Sequence, residues 1–302
     1  MSTDLLIPEP ALVYLMRSAP YRYKVYGIEK RRSNEKRIIA QPAREVKTIQ
    51  HWIMKHILCL YPIHSAATAY RKGRGILRNA KPHARRRFLL KLDFKNFFHS
   101  IRAEDFKRLI EIRTPGQFTA EEVDLLCRAL FWNRGRRGKL ILSIGAPSSP
   151  ALSNLIMYEF DAAVQSFCTV RKIRYTRYAD DLTFSSNIPK SLWDMEQQVA
   201  NICRELRFPI LRLNRSKTVH ASKAGARRVT GLVLSNEGTV SIGRAKKREL
   251  RAAVHHFLNQ RLDEEQTASL RGMLAFVRSV EPAFIDRLCS HYGRSKLRKI
   301  LE

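Results

Sequence analysis

Two aspartates stand side by side in the string Tyr178-Ala179-Asp180-Asp181. Adjacent carboxylates repel, and holding both ionised near a third is unfavourable unless a cation compensates; hard divalent metals such as Mg²⁺ prefer oxygen ligands of this kind. In two-metal phosphoryl transfer one ion activates the attacking oxygen and the other holds the triphosphate, with shared carboxylates keeping them about 3.5 to 4 Å apart. On its own an Asp-Asp pair reads more simply as a solvated surface turn, because Asp is a common turn former. A third carboxylate changes the balance. Asp93 ends the run FLLKLDF, Phe88 to Phe94, whose composition predicts a strand, and two-residue alternation puts Asp93 on one face with Leu89 and Lys91.

The elements that must bring these groups together are also legible. Arg174 to Ser185 predicts two short strands joined by a tight turn at Ala179-Asp180-Asp181. Arg228 to Leu234 with Thr239 to Ile242 predicts a second hairpin turning at Asn236-Glu237-Gly238. Pro150 suits a first helical position, and Leu152, Leu155, Ile156, Phe160, Val164 and Phe167 continue at helical spacing after a Gly/Pro/Ser loop. Residues 1 to 60 read as mostly helical, with short extended pieces at Tyr21 to Tyr26 and Arg37 to Ala40 around the polar turn Arg32 to Glu35. Ile49, Ile53, His56, Ile57 and Leu60 place one apolar stripe on a helix from about Glu45 to Leu60. The carboxy-terminal stretch returns to helix. The expected class is α+β with a helical appendage.

Composition restricts what this body meets. The 302 residues carry 56 Lys and Arg against 27 Asp and Glu, a net +29, with 44% hydrophobic positions. That apolar share excludes disorder and supports one large domain or two interlocked ones. Five cysteines, the closest pair 35 residues apart, leave no metal-knuckle spacing and read as buried thiols in a reducing compartment. The uncharged run Leu140 to Tyr158 is broken by Gly145, Pro147 and Pro150, so no bilayer helix is expected. The amino end lacks a secretory signal, and a cytoplasmic location is expected. The cations are bunched at Arg71 to Arg87, at Arg134, Arg136, Arg137 and Lys139, and at Arg244 to Arg251, with Tyr70, Phe88, Phe131 and Trp132 interleaved. Any one cluster can be a solvated face; several on one chain predict a polyanionic partner, and a long phosphate backbone fits better than a membrane.

The Tyr-x-Asp-Asp box, preceded 87 residues earlier by the Asp of LDFKNFFHSI, resembles the catalytic boxes of reverse transcriptases. The resemblance implies that Asp93 and Asp180 bind two Mg²⁺ ions, that Asp181 assists, and that the carbonyl of Phe94 completes a ligand shell. Phe98 matches the bulky gate that excludes a 2′-hydroxyl and selects deoxynucleotides, while Phe97 reads as core. Gly145, Ala146 and Pro147, in GAPSSPALSNL, are similar to the loop that cradles templating base and incoming nucleotide, with Ile144 where relatives usually carry Gln. Lys217 resembles the lysine that protonates departing pyrophosphate; a phosphate-contacting or merely exposed lysine fits it equally. Arg37, Arg44 and Lys47, around Pro42, are the candidates for gripping the triphosphate.

Two strings narrow the family. Asn79-Ala80-Lys81-Pro82-His83 and Val229-Thr230-Gly231 are similar to signatures of bacterial retron reverse transcriptases, and the resemblance runs from about Tyr21 to Leu288. It implies a right-hand polymerase: amino-terminal helices and fingers over 1–87, an antiparallel palm over 88–235 with finger elements around 102–140, and a palm–thumb hairpin with a short helical thumb over 236–302. Such an enzyme copies part of its own structured noncoding RNA into branched multicopy single-stranded DNA, starting from a guanosine 2′-hydroxyl. The resemblance further implies deoxynucleoside triphosphates as substrates, a host RNase H acting in trans, effector proteins and a role in antiphage defence. Asn79, His83, Arg244, Lys246, Lys247, Arg248 and Arg251 are the residues expected to meet RNA, although His83 also reads as a satisfied core or loop histidine. The alternatives are a group II intron-like or diversity-generating reverse transcriptase, or a catalytically silent RNA-binding scaffold; three intact aspartates argue against the last.

Overall fold

A computed structural model describes residues 1–30, 33–136 and 138–301. Its centre is a four-stranded antiparallel sheet in the order β6-β7-β3-β8. Strand β3 is Phe88–Asp93, β6 Arg174–Tyr178, β7 Asp181–Ser186 and β8 Val219–Ser222. Both faces of the sheet are covered, so Leu89, Leu90 and Leu92 of β3 are all buried although they point to opposite sides. Leu90 and Leu92 belong to a large core with Phe94, Phe106, Phe131, Leu152, Phe160 and Val164, whereas Leu89 faces a second core with Ala84, Leu232, Leu250 and Leu274. The first core is built by helices Ser149–Ile156 and Tyr158–Val170, which carry the apolar spacing of the one predicted helix in two pieces meeting at Met157, together with Ala103–Arg113 and Ala120–Leu130. The second is built by helices Arg244–Leu258, Glu264–Val280, Pro282–Tyr292 and Arg294–Leu301. Asp263 caps the longest of these, accepting from the Gln266 amide at 2.7 Å.

Three expectations are corrected. The amino-terminal extended pieces are one long hairpin, β1 Tyr23–Lys30 against β2 Ser33–Pro42, in continuous register from Tyr23↔Pro42 to Glu29↔Lys36. Its outward residues Val25, Tyr26 and Ile28 are 40–50% exposed, so neither face shows the polar–apolar alternation that marks a strand. The expected turn began at Arg32, which with Arg31, Arg137 and Glu302 lies outside the described residues. The predicted helix to Leu60 ends at His56, followed by a 3-10 turn at Leu58–Leu60. Arg228 to Leu234 is not one strand. It is β9 Arg227–Val229 and β10 Leu232–Leu234, joined by a two-residue turn at Thr230-Gly231 with φ of +45° and +84°. Positive φ at both central residues is the turn whose twist matches a hairpin.

Strand β10 also pairs with β11, Val240–Ser241, so this small sheet runs across residue 235 and does not divide there. A remaining pair, β4 Trp132–Asn133 with β5 Leu140–Ile141, flanks the first core. Cys127 and Cys168 are buried as expected, but Cys59 is exposed, its thiol donating to the Lys55 carbonyl at 2.9 Å. Among the described residues no helix is long and apolar enough to cross a membrane.

Candidate active site

Antiparallel register sets the site. Asp93, the last residue of β3, lies opposite Asp181, the first of β7. Asp180 occupies the two-residue turn with Ala179, whose φ is +56°, and its carbonyl accepts from the Phe94 amide at 3.2 Å. The three carboxylates therefore converge from two chain segments on one end of the sheet. Burial, then the charges of Asp93 and Asp181, push the Asp180 carboxyl up to about 6. Burial also raises Asp181, with Lys91 opposing and Asp93 adding to the rise. The acids are thus under-compensated by cations.

Past β3 the chain keeps pairing: Lys95 N donates to the Arg212 carbonyl at 2.8 Å, Asn214 N to the Asp93 carbonyl at 2.7 Å, and Phe94 bridges Leu213. The following 3-10 turn, Arg215–Lys217, delivers Lys217, whose Nζ donates to both Asp93 oxygens at 2.8 and 3.0 Å. Burial opposes protonation of this ammonium, but the Asp93 hydrogen bond and the neighbouring carboxylates raise its pKa. Its side chain remains 58% exposed.

Among the described residues no three acidic, His or Cys side chains are already drawn into a metal cage. The donor chemistry nevertheless fits a hard divalent ion: carboxylate oxygens alone, crowded enough to raise one another's pKa. Asp93, Asp180 and Asp181 are the residues that would hold it. Phe94 has a buried ring, stacked on Phe97 at 5.9 Å and edge-on to Phe160 at 5.5 Å, which anchors the backbone following Asp93.

Phe98 is half-buried at the same mouth, its ring 5.3 Å from Phe97 and 6.5 Å from Tyr70. Phe97 is core, as expected. Of the Gly145 loop, Gly145 is exposed, Ala146 buried and Pro147 half-buried. The loop docks on the β2 end, where Ala40 N donates to the Ile144 carbonyl at 2.8 Å. Gly145 has φ +123°, and a Cβ there would lie 3.0 Å from the Ala40 carbonyl oxygen, so only glycine permits this approach. Arg37 is exposed on β2, and its charge reaches the Tyr70 phenol. Arg44 is exposed and Lys47 half-buried on helix Arg44–His56; among the described residues no hydrogen bond or ion pair joins either side chain to the carboxylates.

Some RNA-facing expectations are corrected. Asn79 and His83 are fully buried. His83 bonds Ser185 Oγ at 2.7 Å and Thr176 Oγ1 at 2.8 Å, tying its loop to β6 and β7, and Asn79 Oδ1 accepts from Thr68 at 3.1 Å. Both are internal struts. Lys247 is held at 2.6 Å by Glu281 and lies over the Phe284 ring, so its charge is spent inside the helical tail. Arg244, Arg248 and Arg251 are exposed, and Lys246 is half-buried beside Glu249.

The sequence reading missed a buried network beneath the turn. Arg177 and Asp161, both fully buried, form a two-point ion pair at 2.8 and 2.6 Å. Tyr175 donates to the same carboxylate at 2.7 Å. Arg177 Nη1 also donates to the Ala179 carbonyl at 3.1 Å and to Asn154 Oδ1 at 3.2 Å. One guanidinium thus fixes the turn that carries Asp180 and links it to the helix after the Gly145 loop. The available signal was Asn154 and Asp161, seven residues apart on an otherwise apolar helical face.

Residues 28–250 match the family model described as reverse transcriptase (RNA-dependent DNA polymerase), which sets the class of this palm and its carboxylates. The fold agrees: telomerase from Candida albicans, solved with a fragment of telomeric RNA, superposes with a TM-score of 0.52 at 14% identity over 92% of this chain. This chain spans 60% of that telomerase chain, and the likeness concerns the fold alone. Retron Ec83 reverse transcriptase of Escherichia coli is 42% identical over 304 residues, 99% of this chain and 96% of the relative. Retron Ec86 reverse transcriptase of the same species is 32% identical over 312 residues, 99% and 91% respectively. The chain belongs to the retron reverse transcriptases, RNA-directed DNA polymerases whose family works with divalent metal ions on an RNA template and nucleotide substrates.

Proposed function

We propose that this polymerase copies part of a cognate structured noncoding RNA into branched multicopy single-stranded DNA, primed from a guanosine 2′-hydroxyl. The observation that carries the catalytic assignment is the register of Asp93 against Asp181 with Asp180 at the adjoining turn. Asp93 and Asp180 would hold two Mg²⁺ ions, with Asp181 assisting and the Phe94 carbonyl as a further ligand. Bound there, the ions lower the pKa of the attacking hydroxyl and neutralise triphosphate charge. Lys217 releases Asp93 and gives its proton to departing pyrophosphate, a role that its exposed, protonated ammonium supports. Phe98 excludes the 2′-hydroxyl of a ribonucleotide. Gly145, Ala146 and Pro147 border the nucleotide, and Arg37, with Arg44 and Lys47, meets the triphosphate.

We assign amino-terminal helices and fingers to 1–87, the palm to 88–235 and the palm–thumb hairpin with the helical thumb to 236–302, the small sheet spanning the palm–thumb boundary. The product stays with the enzyme in the cytoplasm and restrains an effector protein in antiphage defence, with RNA removal by a host RNase H. The test is deoxynucleotide incorporation with Mg²⁺ by protein purified with its RNA, against Asp180→Asn/Asp181→Asn. The variant is expected to fall to background. Equal incorporation above background would remove the catalytic assignment of these aspartates, background incorporation by both proteins would leave the catalytically silent scaffold, and sequencing the copurified nucleic acid tests for the branched product.

A further inference from the structure

Tyr70 is a large aromatic left 51% exposed at the carboxylate mouth. Its ring centroid lies 6.5 Å from Phe98 and 6.4 Å from Tyr178, so three rings form a shelf reaching from the segment after Asp93 to the residue before the Ala179 turn. Its backbone sits at φ +58°, a region that a bulky residue adopts only at an energetic cost. Such strain persists where the surroundings over-determine it, and that is the case here. The strap leading to Tyr70 is bolted to β6 at every step: Arg177 N donates to the Ala66 carbonyl at 2.8 Å, Thr68 N to the Arg177 carbonyl at 2.9 Å, and Ala67 bridges Arg177. Asn154 Nδ2 donates to the Ala69 carbonyl at 2.9 Å, and the Arg71 guanidinium to the Ala67 carbonyl at 3.1 Å. Burial and the Asp180 charge raise the pKa of the phenol, and Arg37 opposes them. A ring fixed in position, wet on one side, and set beside Phe98 and Tyr178 has the surroundings of a contact for a nucleotide.

We propose that Tyr70 is a further substrate-contacting residue, whose ring packs on the sugar and base of the incoming deoxynucleotide beside Phe98. This rests on the catalytic reading above. The nucleotide, rather than an RNA or DNA strand, is favoured because the ring neighbours of Tyr70 are the sugar gate Phe98 and Tyr178, the residue before the turn that carries Asp180. Aromatic rings contribute to such contacts by stacking without reading base identity, so all four deoxynucleotides are affected alike.

The test is steady-state incorporation by enzyme carrying its RNA. Tyr70→Ala is expected to raise KM for deoxynucleotides about tenfold with kcat little changed, and Tyr70→Phe to behave as the parent because the ring remains. Tyr70→Asn, which tolerates positive φ, is expected to show the same KM defect with a thermal midpoint at or above the parent's, separating ring loss from misfolding. Unchanged KM in both Tyr70→Ala and Tyr70→Asn overturns the proposal. Unchanged KM with weakened RNA binding overturns it in favour of a strand contact. If Asp180→Asn still incorporates nucleotide, the catalytic reading fails first and takes this inference with it; loss in Asp180→Asn with normal Tyr70 variants refutes the inference alone.

Discussion

His83 shows what a single buried polar side chain commits the fold to. Both ring nitrogens are bonded and the residue is fully buried, so burial pushes its pKa down to about 3, with Arg86 and Arg174 adding to the drop. The unfolded chain takes up that proton near pH 6.5. Between those values the unfolded state binds more protons, so stability is full above about pH 6.5 and is lost as pH falls towards 3. At pH 5 the loss is about 2 kcal/mol. His83→Gln should cost stability at pH 7, yet the gap to the parent should narrow by about 2 kcal/mol at pH 5; urea titrations at both pH values that give equal gaps would contradict this. Arg177 and Asp161 are a second case. Asp161→Ala leaves the guanidinium buried and unpaired, a loss of about 3 to 5 kcal/mol. Replacing both with apolar residues, Arg177→Met/Asp161→Leu, should recover most of that stability in thermal melts while incorporation stays low, because the Ala179 carbonyl has lost its donor. Full activity in the double variant would make the network purely structural.

Turns decide how the elements meet, and the turn between β9 and β10 is the most informative. Thr230 holds φ +45°, unfavourable for a β-branched residue, while Gly231 at φ +84° has open space where a Cβ would stand. Thr230→Asn should therefore raise unfolding stability by about 1 kcal/mol, and Gly231→Ala should lower it by about 1 kcal/mol through backbone strain alone. Chemical denaturation reads both, and the opposite ordering would show that Thr230 is kept by a contact rather than tolerated. The sequence hid this turn because VTG reads as strand composition, its only tight-turn cue being a lone glycine. Strand β3 and the Asp180 turn were legible because their signals are local: an apolar run ending in Asp, and a turn between two short strands. The full length of the β1–β2 hairpin is hidden in the sequence because exposed apolar residues stand on both faces of β1, Val25 on one and Tyr26 and Ile28 on the other. Arg177 found its partners 16 and 23 residues upstream, which no local period encodes. Asn79 and His83 were placed on RNA because a family signature identifies relatives without saying which side chains meet water.

A net charge of +29 on one chain must be met by a polyanion, and the distribution of those cations separates binding from scaffolding. Some are consumed internally. Arg227 is buried, donating to the carbonyls of Ala84, Arg86, Leu234 and Ser235 and so stapling the loop before β3 to the small sheet. Lys247 and Arg287 converge on Glu281, whose pKa burial raises but Lys247, Ser241 and the Ile242 amide together bring below the usual value, and Lys247, Arg251 and Arg287 surround the Phe284 ring. Others face outward. A cavity of about 670 Å³ lined by Lys81, Arg85, Arg86 and Arg174 opens where β6 begins and β7 ends, the opposite end of the sheet from Asp93 and Asp181. This open, basic cavity is therefore separate from the place where Asp93 and Asp181 meet. On helix Arg244–Leu258, Arg244 and Arg248 are exposed and, among the described residues, form no ion pair. Phosphate contacts release counterions, so each one lost reduces the slope of log affinity against log salt by about 1. Arg244→Ala/Arg248→Ala should flatten the salt dependence of cognate RNA binding by about 2 while leaving the thermal midpoint in place. Lys247→Ala should do the reverse, lowering the midpoint because Glu281 and Phe284 lose a partner, with the slope unchanged. If Lys247→Ala flattens the slope as much per residue as the arginine pair, the tail does not divide its cations between packing and phosphate, and the whole helix must be read as an RNA face.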